Sequence, residues 1–131
     1  MIARKFRLFS AVAGLSATLL LSATAAAHPK LVSSTPAAGA VVETPATLEL
    51  HFNEKLIGPF SGLSVTMTET KDAKLKAPRK LDGVETKVGS NGKTLVATLP
   101  KPLSAGTYKV AWHAVTSDTH RVQGDYTFQV R

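Results

Sequence analysis

Apolar and polar residues alternate in short runs from residue 28 onward, and this period of two predicts β-strands. In one run, Leu48, Leu50 and Phe52 are separated by single polar residues, which is typical of a half-buried strand. Proline, glycine and asparagine separate the runs, and no stretch after residue 28 has a helical period. The pattern therefore predicts an all-β sandwich. The other predicted runs are 31–34, 63–68, 94–99, 108–115 and 126–130.

Residues 103–108 lead into the longest of these runs and resemble a tyrosine corner, with Gly106 two positions before Tyr108. In such a corner the tyrosine hydroxyl forms a hydrogen bond back to the preceding turn of a Greek-key sandwich. The alternative is a tyrosine that only fills the core. Neither interpretation gives Tyr108 a catalytic role.

Residues 1–27 have the layout of a secretory signal peptide with a cleavage site after Ala27. Three basic residues within 4–7 precede a mainly apolar stretch from Leu8 to Leu21, and small residues follow it. A membrane anchor is the alternative, but the apolar stretch is short for the roughly 20 residues that a spanning helix needs. We expect a cleaved signal over 1–27 and one domain over 28–131. Cleavage a residue or two away is the main competing outcome.

Composition and charge limit the kinds of cross-link, metal site and partner that this chain can have. The chain has no cysteine, which excludes disulfides and thiolate metal sites. Its net charge is +7, and many of the cations lie in 71–80. Such a stretch could bind nucleic acid or an anionic membrane surface. A solvated loop is the favoured interpretation, because no aromatic residues for base stacking are interleaved with the cations. We expect no nucleic-acid partner and no stable membrane anchor after cleavage.

Cleavage after Ala27 would make His28 the first residue, so that its α-amine and its imidazole could chelate one metal ion. Pro29 has no backbone N–H, which prevents that amide nitrogen from becoming a further ligand. An α-amine ordinarily titrates near pH 8, and a metal must displace its proton. Affinity at such a site should therefore fall as the pH drops.

Asp118 and His120 are two positions apart, and in an extended chain their side chains would share a face. Their Cα atoms would then lie about 6.6 Å apart, from a rise of roughly 3.3 Å per residue. Alone this pair is a weak signal, but with His28 it gives three nitrogen donors and one carboxylate. Such a set favours Cu(II), with zinc as the alternative metal. Met67 is the only methionine after residue 27, so the sequence does not support a soft Cu(I) site.

Two further histidines are expected to lie away from the metal. His51 alternates with the core-facing residues Leu50 and Phe52, and His113 follows Trp112, which we place in the core. Strand alternation then directs both imidazoles away from the core. We expect a surface or hydrogen-bonded role for each.

Several motifs together resemble the CopC copper-resistance proteins, and the resemblance covers essentially all of 28–131. It implies a periplasmic, seven-stranded Greek-key β-sandwich, similar to cupredoxin and immunoglobulin domains, that holds one Cu(II) per chain. The implied ligands are His28, Asp118 and His120, and Glu54 matches an acidic position near the site. The motifs that carry the resemblance are 28–36, 48–54, 106–112 and 117–120.

The sequence departs from part of that family. Some members have a methionine-rich loop with a histidine that forms a separate Cu(I) site, whereas 71–80 contains neither residue type. We therefore expect a Cu(II) site only. The resemblance implies a monomeric protein of copper resistance and homeostasis, not an enzyme, which buffers copper or delivers it to a CopD-type inner-membrane transporter.

The sequence leaves two other functions open. One is a copper-dependent oxidative enzyme with a terminal-histidine site. The short chain, its low aromatic content and the expected use of Trp112 in the core make this enzyme the weaker hypothesis. The other is an adhesion or structural sandwich domain that binds no metal.

Overall fold

The computed structural model describes residues 28–131, which form two packed β-sheets and one 3-10 turn, Gly58–Phe60. The predicted all-β class is confirmed. The predicted signal peptide falls outside the described residues. No helix in residues 28–131 is long and apolar enough to span a membrane. The strands are β1 Leu31–Thr35, β2 Val41–Val42, β3 Thr47–Phe52, β4 Gly62–Thr70, β5 Lys74–Lys80, β6 Glu85–Val88, β7 Thr94–Thr98, β8 Gly106–Val115 and β9 Arg121–Val130.

One sheet has four strands in the order β1-β3-β7-β6, and the other has five in the order β2-β9-β8-β4-β5. Neighbouring strands are antiparallel except β2 and β9, which are parallel. The inward-facing apolar residues of both sheets form one core, as period-two alternation predicts. Its largest fully buried side chains are Tyr108, Phe128, Leu48, Leu50, Leu95, Val65 and Val110.

The number of strands differs from the expected seven, because nine are present in the described part of the chain. The additional elements include β2, which has only two residues, and β5. Residues Lys74–Lys80 form this strand at the edge of the five-stranded sheet, so the predicted solvated loop was wrong. Six of its seven residues are exposed, and such a strand has no apolar alternation by which the sequence could reveal it.

The long hairpin of β8 and β9 runs the length of the sandwich. At the start of β8, the Tyr108 hydroxyl donates a hydrogen bond to the Ser104 carbonyl oxygen at 2.6 Å, which confirms the predicted tyrosine corner. Further along, Trp112 packs against Phe52 with ring centroids 5.2 Å apart. A Cβ atom at Gly124 would approach the Trp112 ring to 2.7 Å, so this position has room only for glycine.

Candidate metal centre

The turn between β8 and β9 brings Asp118 and His120 together. Thr119 has φ +66°, a left-handed conformation that is uncommon for a β-branched residue. Its backbone N–H donates to the Thr116 carbonyl at 2.9 Å, which closes the turn. Asp118 and His120 therefore do not lie in an extended segment, and their carboxylate and imidazole meet through a tight turn instead.

Asp118 accepts several hydrogen bonds within this turn. The Thr116 hydroxyl donates to Oδ1 at 2.6 Å, and the His120 backbone N–H donates to the same oxygen at 3.1 Å. The His120 Nδ1 atom lies 2.9 Å from the other carboxylate oxygen, Oδ2. The Thr116 hydroxyl, followed by the His120 side chain and backbone, lowers the pKa of Asp118 to about 2. The carboxylate is therefore ionised near neutral pH.

The first described residues are fixed beside this turn by Asn53, which directly follows β3. Its side-chain oxygen accepts a hydrogen bond from the Lys30 backbone N–H at 2.7 Å, and its side-chain nitrogen donates to the His28 carbonyl at 3.4 Å. The Asn53 backbone N–H also donates to the Lys30 carbonyl at 3.1 Å. Pro29 is buried while His28 is exposed. Asn53 thus fixes the backbone from His28 to Lys30, while the His28 side chain remains exposed.

His28, Asp118 and His120 form a cluster in which one potential ligand atom from each residue lies within 4.8 Å of the others. The two imidazole rings have centroids 4.9 Å apart, and all three residues are exposed. A carboxylate that contacts one nitrogen of a histidine commonly orients that ring so that its other nitrogen faces a metal. Two imidazoles and an ionised carboxylate at one exposed point suit a divalent transition metal such as copper or zinc.

The remaining candidate residues lie outside this cluster. Glu54 follows Asn53 and is half-buried. His51 lies on the outer face of the four-stranded sheet, with Nδ1 3.1 Å from the Thr94 hydroxyl and Nε2 3.5 Å from a Glu49 carboxylate oxygen. The hydrogen-bonded role expected for His51 is consistent with these contacts.

His113 lies on the outer face of the five-stranded sheet, opposite Gly62 in the register. Burial and then the nearby Arg121 charge lower its pKa. Met67 is buried in the core, so its thioether is not available to an ion at the surface.

Sequence reasoning missed the roles of Asn53 and Thr116. Asn53 stands at the end of a strand, where a side chain that both donates and accepts hydrogen bonds can hold an adjacent segment. Thr116 lies two residues before Asp118, which is a common spacing for hydrogen bonds within a turn. These two local patterns are the sequence signals from which the roles of Asn53 and Thr116 could have been predicted.

Comparison with known proteins assigns this chain to a family. The family model described as CopC domain matches residues 31–131. The copper resistance protein C of Pseudomonas syringae pv. tomato is 47% identical over 119 residues, which cover 88% of this chain and 90% of the relative.

Two solved structures are also similar. The crystal structure of PcoC, a methionine-rich copper resistance protein from Escherichia coli, has a TM-score of 0.73 and 42% identity, covering 80% of this chain and 100% of that one. The crystal structure of CopC from Methylosinus trichosporium OB3b has a TM-score of 0.61 and 27% identity, covering 79% and 93% respectively. The protein described here therefore belongs to the CopC family.

Proposed function

We propose that the protein binds one Cu(II) ion in the periplasm and serves copper resistance and homeostasis. The names of its relatives support a role in copper resistance. The observation that carries the proposal is the meeting of His28 with Asp118 and His120 at one exposed point. Each of these side chains carries a nitrogen or oxygen donor atom of a type that binds Cu(II).

Processing of the N-terminus would complete this site. Cleavage after Ala27 would free the α-amine of His28, which together with the imidazole would chelate the ion. In the unprocessed chain this nitrogen belongs to a peptide bond and cannot donate in that way. Copper binding would therefore begin only after export and cleavage. Asn53 would support the site by holding the backbone on either side of Pro29.

Asp118 and His120 would supply the remaining donors. The pKa of Asp118 is lowered to about 2, so its carboxylate needs no deprotonation before it binds a cation near neutral pH. The carboxylate also contacts Nδ1 of His120, which leaves Nε2 of that ring for the metal. Glu54 remains a candidate for weak outer support, since it follows the Asn53 anchor in the chain.

The donor set favours Cu(II) over Cu(I). Soft Cu(I) selects thiolate and thioether ligands, and this chain has no cysteine and two methionines. Of these, Met67 is buried in the core. PcoC of Escherichia coli is described as methionine-rich, which makes the contrast informative. We infer that this protein does not exchange copper between Cu(I) and Cu(II) sites on one molecule.

The physiological role would be to buffer copper or to pass it to a CopD-type transporter in the inner membrane. An exposed site suits exchange, because an incoming ligand can reach the ion without unfolding the sandwich. No contact within the described residues favours oxidative catalysis over simple binding.

Titration of the exported protein with Cu(II) tests the proposal, after mass spectrometry has established its N-terminus. We expect one equivalent to bind tightly and to give an electron paramagnetic resonance spectrum with nitrogen couplings. Competition with zinc should leave copper bound, as the order of divalent-metal affinities requires. Absence of stoichiometric Cu(II) binding would instead support a purely structural sandwich domain.

A further inference from the structure

The outer faces of the two sheets differ in charge. Directly opposed residues on neighbouring strands point to the same face of a sheet, so the register assigns each side chain to a face. On the outer face of the four-stranded sheet, the charged strand residues are Glu49, Glu85 and Lys87. On the outer face of the five-stranded sheet, the register places the cations Lys74, Lys80, Lys109 and Arg121 and the acids Glu69 and Asp125. Lys76 lies between Lys74 and Lys80 on β5, and strand alternation assigns it to the same face.

The register locates these cations across several strands. Thr66 of β4 is opposite both Lys80 of β5 and Lys109 of β8. Arg121 of β9 is opposite Val115, at the end where the candidate metal centre lies. The cationic side chains therefore extend across the sheet and along it, from the β5 edge towards His120. We call this set of five cations the basic face.

The two acids on the basic face already have polar partners. The Asp125 carboxylate lies 3.4 Å from the Lys109 ammonium, and the Glu69 carboxylate accepts a hydrogen bond from the Thr107 hydroxyl at 3.4 Å. Among residues 28–131, no ion pair engages Lys74, Lys76, Lys80 or Arg121. Most of the positive charge on this face is thus available to an external anionic surface.

Protection of a sheet edge accounts for only part of this arrangement. Edge strands commonly carry lysine and proline because these residues prevent pairing with other chains, and β5 contains both. Lys109, however, lies on β8, which pairs with β4 on one side and with β9 on the other. Arg121 lies on β9, where the short strand β2 covers only Gln129 and Val130. Edge protection therefore does not account for Lys109, or for the placement of cations from β5, β8 and β9 on one face of the sheet.

The chemistry of the cations on this face suits a broad, charged surface. A shallow hollow of about 670 Å³ lies on this face, and its lining includes Lys80, Arg121 and the small side chains of Ser64 and Ala111. Four of the five cations are lysines, whose flexible, hydrated charges suit a diffuse anionic layer better than a fixed bidentate partner.

An exposed aromatic ring lies at one end of this sheet. Phe60 ends the 3-10 turn immediately before β4, and 62% of its surface is exposed. The backbone N–H of Ile57, in the same loop, donates to the Val115 carbonyl at 2.8 Å, which places the loop beside the candidate metal centre. Exposed apolar side chains such as phenylalanine enter the boundary between headgroups and acyl chains when a segment lies on a bilayer. A basic face and an exposed phenyl ring at one end of the same sheet favour a membrane over an acidic protein.

We propose that the basic face docks reversibly on a membrane rich in anionic phospholipid, with Phe60 entering the headgroup region. Docking would hold the His28 end of the sandwich close to the bilayer. The proposal goes beyond copper binding and does not depend on it, since neither the basic face nor Phe60 belongs to the candidate metal centre. Its failure would leave the proposed Cu(II) site unaffected, and the reverse also holds.

Co-sedimentation of the exported protein, without copper, with sucrose-loaded vesicles tests this inference. Vesicles of phosphatidylcholine alone are compared with vesicles of phosphatidylcholine and phosphatidylglycerol in equal amounts. We expect binding only to the second kind, with a loss at high salt because screening weakens exposed charges. The double variant Lys76→Glu with Lys80→Glu should lower the partition coefficient at least about tenfold. Phe60→Ala should lower it severalfold.

A matched control carries the same change of net charge elsewhere. Lys87→Glu with Lys93→Glu alters exposed lysines outside the basic face, and this variant should bind nearly as well as the unaltered protein. Equal weakening by both double variants would overturn the proposal, because net charge alone would then explain binding. Absence of binding to anionic vesicles would also overturn it, and binding only to polyglutamate would indicate an acidic protein partner instead. Copper titrations of all variants should be identical.

Discussion

The two ends of the β8–β9 hairpin use polar side chains in opposite ways. At one end, Tyr108 is buried and its hydroxyl is satisfied by the Ser104 carbonyl. At the other, Asp118 and His120 are exposed, with their polar atoms directed at each other and at His28. The hydrogen bond of Tyr108 stabilises the fold, whereas the side chains of Asp118 and His120 remain accessible to a metal ion. Substitutions at the two ends should therefore separate stability from copper binding.

The largest expected effect is that of His120→Ala on copper. It removes an imidazole from the cluster, and Cu(II) affinity should fall by more than the roughly 10–100-fold that loss of an outer-shell partner costs a metal site. The free energy of unfolding should change by less than about 0.5 kcal/mol, because the side chain is exposed. Competition titrations and denaturant unfolding measure the two quantities.

His51→Ala is the matched control for that experiment, since His51 lies outside the cluster. Its copper affinity should equal that of the unaltered protein. If His51→Ala weakened copper binding as much as His120→Ala, the assignment of the site to the β8–β9 turn would be wrong.

Asn53→Ala should have an intermediate effect on copper. It removes the side-chain hydrogen bonds to Lys30 and His28, so the segment that carries His28 would be less well fixed. Affinity should fall by about 10-fold, as is typical for residues that orient metal ligands. The electron paramagnetic resonance spectrum should keep its nitrogen couplings, since no ligand is lost. Loss of those couplings would mean that Asn53 does more than position His28.

Tyr108→Phe should produce the reverse pattern. The variant keeps the buried ring but loses the hydrogen bond to Ser104, which should lower the free energy of unfolding by about 1 kcal/mol. Copper affinity should not change. A drop in affinity would show that the two ends of the hairpin are coupled through the sheet.

The smallest expected effect is that of Thr119→Asn in the turn. Asparagine tolerates the left-handed conformation at φ +66° better than threonine, so the variant should be more stable by up to about 1 kcal/mol. Asp118 and His120 would be retained, and copper affinity should stay within severalfold. Destabilisation on denaturant unfolding would show that Thr119 makes a compensating contribution.

Strands could be predicted from the sequence where one face of the strand is buried, because apolar and polar residues then alternate along it. Leu48, Leu50 and Phe52 of β3 are all buried, as their spacing predicts. The β5 strand was missed because its side chains are almost all exposed, so only its pairing with β4 defines it. The sequence shows that 71–80 is rich in cations, but only the strand register shows on which face of the sheet they lie.

The candidate site was predictable in its residues but not in its geometry. His28, Asp118 and His120 were identified by donor type and by the expected N-terminus. An extended chain would also have brought Asp118 and His120 to one face, but a left-handed backbone at Thr119 brings them together instead. Single-sequence patterns do not reveal such a conformation, because threonine rarely adopts it. The ligand roles themselves stay predictions until copper is measured.

The most direct test of the account compares Cu(II) affinity between a chain that begins at His28 and the same chain with one glycine placed before it. All side chains are identical, and only the α-amine of His28 becomes a peptide nitrogen. We predict that the added glycine weakens binding by at least about 100-fold, a larger loss than outer-shell changes usually produce. Equal affinity of the two chains would contradict the account, because copper would then bind without the His28 amine.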